Sequence, residues 1–207
     1  MSSANGARPR GALGGVVGPI AFVGAWSIGG IVANHYSPVD DAISHLAEIG
    51  ASTRVLMTSG FVVFGIGVVI YAFALRASLP GWSWATVAFS GLATLGVAAA
   101  PLGRSHAGDT LHGVFAGAGY VTLACTPLLA AGPLWRAGMR ASARASIAIG
   151  ALAGVSLAAT TATSADGLFQ RTGLTIVDVW IVVTAVAMLR GRFDPRRPEA
   201  QRANMQR

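Results

Sequence analysis

Six apolar stretches, 11–33, 55–75, 84–102, 113–134, 145–164 and 172–189, take up most of this 207-residue chain. Nearly all have about 18 or more residues, the length that carries a helix across a hydrocarbon core of about 30 Å. Lipid offers no water to backbone N–H and C=O groups, so each crossing must satisfy its own hydrogen bonds as a helix. With 53% hydrophobic and only 11% charged residues, the chain has no stretch left for a separate soluble domain. The expectation is an all-α integral membrane bundle of six transmembrane helices, one domain over 1–207.

The charges give this bundle a direction. Arg8 and Arg10 precede the first span, Arg76 follows the second, Arg136, Arg140 and Arg144 follow the fourth, and Arg190, Arg192, Arg196, Arg197, Arg202 and Arg207 follow the sixth. That side holds twelve of the fifteen arginines, and the opposite connections hold only Arg54, Arg104 and Arg171. An excess of cations marks the cytoplasmic side, which puts both termini in the cytoplasm of a multi-pass cell-membrane protein. All four histidines, His35, His45, His106 and His112, and six of the eight acids fall on the outer side, where chemistry is therefore to be sought. The net charge of +7 sits beside the spans, where it meets anionic lipid head groups; membrane lipids are the expected partners and nucleic acid is not. The basic tail 191–207, with Pro195 and Pro198, is expected to be disordered and lipid-facing. Lone Cys125 excludes an intramolecular disulfide and reads as a small buried hydrophobe. The first apolar stretch is longer than the core of a signal peptide and is expected to stay as a span. Fifteen arginines without one lysine fit a GC-rich bacterial genome.

The first outer connection carries helix signals of its own. Ser37, Pro38 and Asp40 occupy N-cap, first and third positions, and Gly50 is the stop. Val39, Ala42, Ile43, Leu46, Ala47 and Ile49 then share one side, Asp40, Asp41, Ser44, His45 and Glu48 the other, as in a short interfacial amphipathic helix. Asp41, His45 and Glu48 could jointly hold a proton, a cation or a polar ligand, or simply face water.

Three further groups can carry chemistry. His106, Asp109 and His112 recur at three-residue spacing at the mouth of the fourth span, over about 120° of helix arc. With His45 or Asp41 they offer ligands for a divalent metal such as zinc; alternatively Asp109 caps the helix and the histidines are solvated. Asp178 lies inside the sixth span, where an ionisable group costs several kcal/mol unless it faces a polar interior or a partner. Arg171, Arg54 and the Ser156, Thr160, Thr163, Ser164 stripe are its available partners. Arg54, Arg104 and Arg171 can together grip a lipid phosphate, or pair singly with Glu48, Asp109, Asp166 and Asp178. Gly14 with Gly18, Gly113 with Gly117 and Gly150 with Gly154 have the spacing that lets membrane helices approach closely. Walker, nucleophile-elbow and His-Glu-x-x-His motifs are missing. Histidines confined to one rim rule out a pair of bis-histidine haems stacked across the membrane.

These residues resemble the family of multi-pass bacterial and archaeal membrane proteins known as domain of unknown function 998. The resemblance rests on the order and spacing of Pro38 with Asp41 to Leu46, Phe61 to Gly67, Leu111-His112-Gly113 and Gly167 to Arg171. It implies the topology above and recurrent outer-face residues Ser44, His112 and Arg171, without a settled activity. Members often carry an acid after the proline ending the third span, where this chain has Leu102-Gly103-Arg104 after Pro101. A looser likeness, of site chemistry alone, is to zinc-dependent membrane hydrolases of the alkaline ceramidase and adiponectin-receptor type.

Three functions follow. The first is a binding or transporter-like module whose outward cleft, from Asp41, Ser44, His45, Arg54, Asp109, His112, Arg171 and Asp178, takes a lipid head group or small polar ligand. The second is a membrane enzyme, with or without a metal, acting on a lipid or isoprenoid substrate through His112, Asp109 or Asp178, with His45 and His106 as further candidate metal ligands. The third is a structural membrane subunit whose acids and arginines only pair with one another. Ser83, Ser90, Thr94 and Thr184 supply the little polarity found in the inner halves, which counts against a transport path.

Overall fold

A computed structural model describes residues 10–193. A 3-10 turn, Arg10–Leu13, leads into α1 (Gly14–Val32); α2 (Arg54–Ser78), α3 (Ser83–Ala99), α4 (His106–Arg136), α5 (Arg140–Ala159) and α6 (Asp166–Leu189) follow, with no strand among the described residues. Five of these helices, counting α1 with its leading turn, are long and apolar enough to cross a membrane, and the 17-residue α3 is shorter but apolar. This is a multi-pass membrane protein. The sequence-expected basic tail lies outside the described residues from 194 onward, as does Arg8.

Each helix packs on the next in sequence, and α6 returns to α1 while also touching α4 and α2, which closes the bundle. Large apolar side chains such as Ile31, Val55 and Val121 stay exposed on its outside, where lipid covers them. Tyr71, Met57, Val68 and Ile181 fill its centre. The α1/α2 contact depends on glycine: a Cβ on Gly67 would stand 2.8 Å from the carbonyl oxygen of Gly14, and Gly18 faces the same stretch. Gly150 is likewise pressed against α4, but Gly113, Gly117 and Gly154 face open space, so two of the three expected pairings do not operate as pairs.

The loops gather into two ends. The connections between α1 and α2, α3 and α4, and α5 and α6 form the histidine-bearing end; Arg76, Arg140 and Arg144 mark the other. There Arg76 lies 4.6 Å from the centre of the Trp84 ring, and Arg140 and Arg144 each lie 5.8 Å from that of Trp135.

Two local expectations are corrected. The first connection is not an amphipathic helix from 38 to 49. The start signal is real, since Ser37 Oγ donates to Asp40 Oδ2 at 2.6 Å and the Asp41 amide reaches Ser37 O at 2.8 Å. The turn then stops, because Arg171 takes the carbonyls of Pro38 and Asp41 and the Leu168 amide takes that of Val39. Carbonyls claimed by α6 are unavailable to a helix of their own. Ala42 is extended, and only Ile43–Ala47 re-forms as a 3-10 turn, with Ile43, Ser44, Leu46 and Ala47 buried rather than at an interface. Nor does Asp109 cap the fourth helix. Ser105 does, accepting from the Gly108 amide at 3.1 Å, and Asp109 instead receives the Gly103 amide at 2.9 Å.

Candidate functional site

The bundle holds a partly open cavity beneath the first connection. Ile43 and Ser44 form its roof, aromatic rings from α1, α2 and α4 its walls, and Ser90, Thr94, Tyr120, Gln170 and Asp178 its polar positions. It measures about 50 Å³, room for a few water molecules or one small polar group. α6 begins at Asp166, earlier than its apolar run, so Asp178 lies about 18 Å along the helix, near its middle. Ser90 and Thr94 project from α3 into the same space, so the sparse mid-span polarity converges rather than continuing through the bundle.

Asp178 is 2% exposed, and neither carboxylate oxygen has a hydrogen-bond partner. The expected partners are elsewhere. Arg54 is exposed on an outer groove with Val55, Thr58 and Val62. In the α5 stripe Thr160 and Thr163 bond back to Leu157 O and Ala159 O, and none of its members lines the cavity.

Arg171 is spent on the roof. Its Nη1 donates to Pro38 O at 2.7 Å and Asp41 O at 3.0 Å, and its Nη2 donates to the Tyr36 hydroxyl. The guanidinium also lies within 5.5 Å of the Trp26 ring centre and 5.4 Å of the Tyr36 ring centre. Burial holds the Tyr36 phenol above its ordinary pKa, against the pull of the Arg171 charge. One residue earlier, Gln170 Oε1 accepts the Ile43 amide at 2.6 Å while its Nε2 donates to the Tyr120 hydroxyl. Gly167 completes the clamp, leaving no room for a side chain between α6 and the Pro38 and Asp41 carbonyls.

Ser44 and His112 meet at the roof. His112 is buried, with Nδ1 2.7 Å from Ala100 O and Nε2 2.9 Å from Ser44 Oγ. His45 turns away to hydrogen-bond Glu48 at 3.0 Å on the exposed surface. Asp41 accepts the Ser37 amide at 2.7 Å, and His106 and Arg104 are exposed. The structure thus joins Ser44 to His112 and Arg171 to the Asp41 backbone, but does not gather His45, His106, Asp109 and His112. Among the described residues no three His, Cys, Asp or Glu side chains converge as metal ligands. In this arrangement Nδ1 of His112 is engaged by Ala100 O and Nε2 by Ser44 Oγ.

Sequence reasoning missed Gln170, Tyr120, Tyr36 and Trp26. An amide just over one turn into an apolar helix, and a tyrosine in the middle of another, were the available signals.

The family model described as Protein of unknown function (DUF998) matches residues 16–187, and the chain belongs to that family. No curated protein and no solved structure matches it.

Proposed function

We propose that this member of the family binds a small ammonium-bearing molecule, free or as a lipid head group, in the core cavity, with Asp178 as its anchor. The observation that carries this is the pair of partnerless carboxylate oxygens of a residue that lines the cavity. A buried carboxylate without a donor costs several kcal/mol, and a proton, a cation or an N–H donor relieves that cost. A largely aromatic and aliphatic lining with a few fixed polar groups is the usual composition of a small-molecule site, and this volume suits a head group rather than a whole lipid. The protein in this reading crosses the cell membrane six times, α3 included, with both termini cytoplasmic and the histidine-bearing end outward. It is a binding protein rather than a transporter: below the cavity Thr184 is bonded to Tyr71 at 2.6 Å and Trp180 to Ser146 at 2.8 Å, so the polar groups there satisfy one another.

The test is thermal unfolding of the protein in nanodiscs with ethanolamine or choline, and with ethanolamine phospholipids replacing neutral ones. A rise in Tm that saturates with the free amine, and is lost in Asp178→Asn, supports a soluble ligand; the same rise only with the lipid supports a head group. No Asp178-dependent rise in either series refutes the reading.

A further inference from the structure

Ser44 is the one hydroxyl among the described residues that meets a histidine ring. Thr94, Thr122, Thr126, Thr160 and Thr184 each donate to a carbonyl of their own helix, the usual fate of a hydroxyl in an apolar helix. Ser44 Oγ instead meets the ring nitrogen of His112, 68 positions away and on another element. The roof does not need this bond for anchorage, since Gln170 holds the Ile43 amide and Thr53 Oγ1 donates to Leu46 O at 2.8 Å.

The partner of Nδ1 settles which way the Ser44 bond runs. Ala100 O can only accept, so Nδ1 carries the hydrogen. In the neutral ring Nε2 is then a lone pair, aimed at the Ser44 hydroxyl. A hydroxyl, a base within hydrogen-bond reach and a third group that fixes the base's tautomer are the three parts of an activated serine. Here a backbone carbonyl supplies the third. Ser44 also lines the cavity, as does Tyr120, whose oxygen accepts from Gln170 and whose own hydroxyl hydrogen has no acceptor among the described residues.

We propose that Ser44 is the nucleophile and His112 the general base of an acyl-transfer site, with the Tyr120 hydroxyl as donor to the developing oxyanion. The inference rests on the cavity being a binding site; its substrate class is a carboxylic ester with an amine-bearing portion, which lies toward Asp178. Asp178 is eight residues deeper than Gln170, about 12 Å along α6, so the amine-bearing portion and the ester carbon lie at different depths. Ser44 Oγ bonds to the ester carbon as its proton passes to His112 Nε2, and the carbonyl π electrons move onto oxygen facing Tyr120. The oxyanion re-forms the carbonyl, the ester C–O bond breaks, and the Nε2 proton leaves with the alcohol. Water then attacks the acyl-Ser44 ester by the same route, releasing the acid and restoring the serine hydroxyl.

A fluorophosphonate, which phosphonylates activated serines, tests this on the full chain in nanodiscs by intact mass and peptide mapping. The expected result is one adduct, on Ser44, absent in Ser44→Ala and formed at least about 100-fold more slowly in His112→Gln. Tyr120→Phe is expected to slow it as well. An unlabelled wild type, an adduct on a different serine, or a rate indifferent to a folded His112→Gln overturns the inference. If His112→Gln does not fold, the Ser44 adduct and its response to Tyr120→Phe decide alone, an unchanged rate counting against the site. An unlabelled protein that still shows the Asp178-dependent amine effect refutes acyl transfer and leaves the binding reading intact. An adduct on Ser44 without that effect refutes the Asp178 anchor instead.

Discussion

A Cβ on Gly167 would stand 2.7 Å from the carbonyl oxygen of Pro38, so the first turn of α6 and the first connection touch backbone to backbone. Both sides are main chain and neither can swing aside. Gly167→Ala is expected to lower stability by about 1–3 kcal/mol through forced separation of the two segments. Gly154→Ala, with nothing within 4 Å of its Cβ, is the control: removing a helical glycine there should leave stability unchanged or raise it by about 0.5–1 kcal/mol. Thermal unfolding in one detergent compares the two, and equal losses would remove the clamp from the account.

Arg171 should resist replacement by lysine. Its fork donates to two carbonyls and a phenol at once, and a single ammonium on a flexible stem cannot match that geometry. Arg171→Lys is expected to cost about 1.5–3 kcal/mol, the worth of a hydrogen bond to a charged group. Hydrogen exchange should show the loss first in residues 36–49, before the helices loosen. Uniform loosening of the whole bundle would argue against a local clamp.

Asp178 should behave in the opposite sense. No group in the protein is left unsatisfied when its carboxylate is removed, so Asp178→Leu is expected to stabilise the bundle, by about 1–4 kcal/mol if the carboxylate is ionised in the folded state. A structural network of acids and arginines predicts that Arg171 and Asp178 variants both destabilise. Measuring both in the same detergent separates the accounts by sign.

Tyr36 ties the roof to alkaline pH. Its phenol holds its proton more tightly in the folded protein than the ordinary value of 10.0, so the folded state binds more protons once pH passes that value. The stability present below about pH 10 is therefore lost as pH rises through the folded value. Tyr36→Phe should flatten this decline. An identical slope in both proteins above pH 10 would mean that Tyr36 does not contribute to it.

The helices were legible because membrane physics leaves a long apolar run few alternatives; their ends were less so. α4 starts at His106 and α6 at Asp166, each before the apolar run that hydropathy alone picks out. An apolar run from 172 puts Asp178 about a turn and a half inside the span, and in the helix it lies near the middle. Ser37 and Pro38 do start a turn, and only contacts with residues about 130 positions away end it. Pairings such as Ser44 with His112 leave no local trace in one sequence, although both residues stood among the site candidates.

The clamp between α6 and the first connection has a consequence for how the protein is made. Ribosomes deliver chains from the N-terminus, so α1 and α2 enter the membrane long before Gly167, Leu168, Gln170 and Arg171 exist. Until then the carbonyls of Pro38, Val39 and Asp41 and the amide of Ile43 lack their partners from α6. The roof of the cavity is therefore a late product of synthesis, and a chain truncated before its last helix would insert its first hairpin yet leave it unsealed.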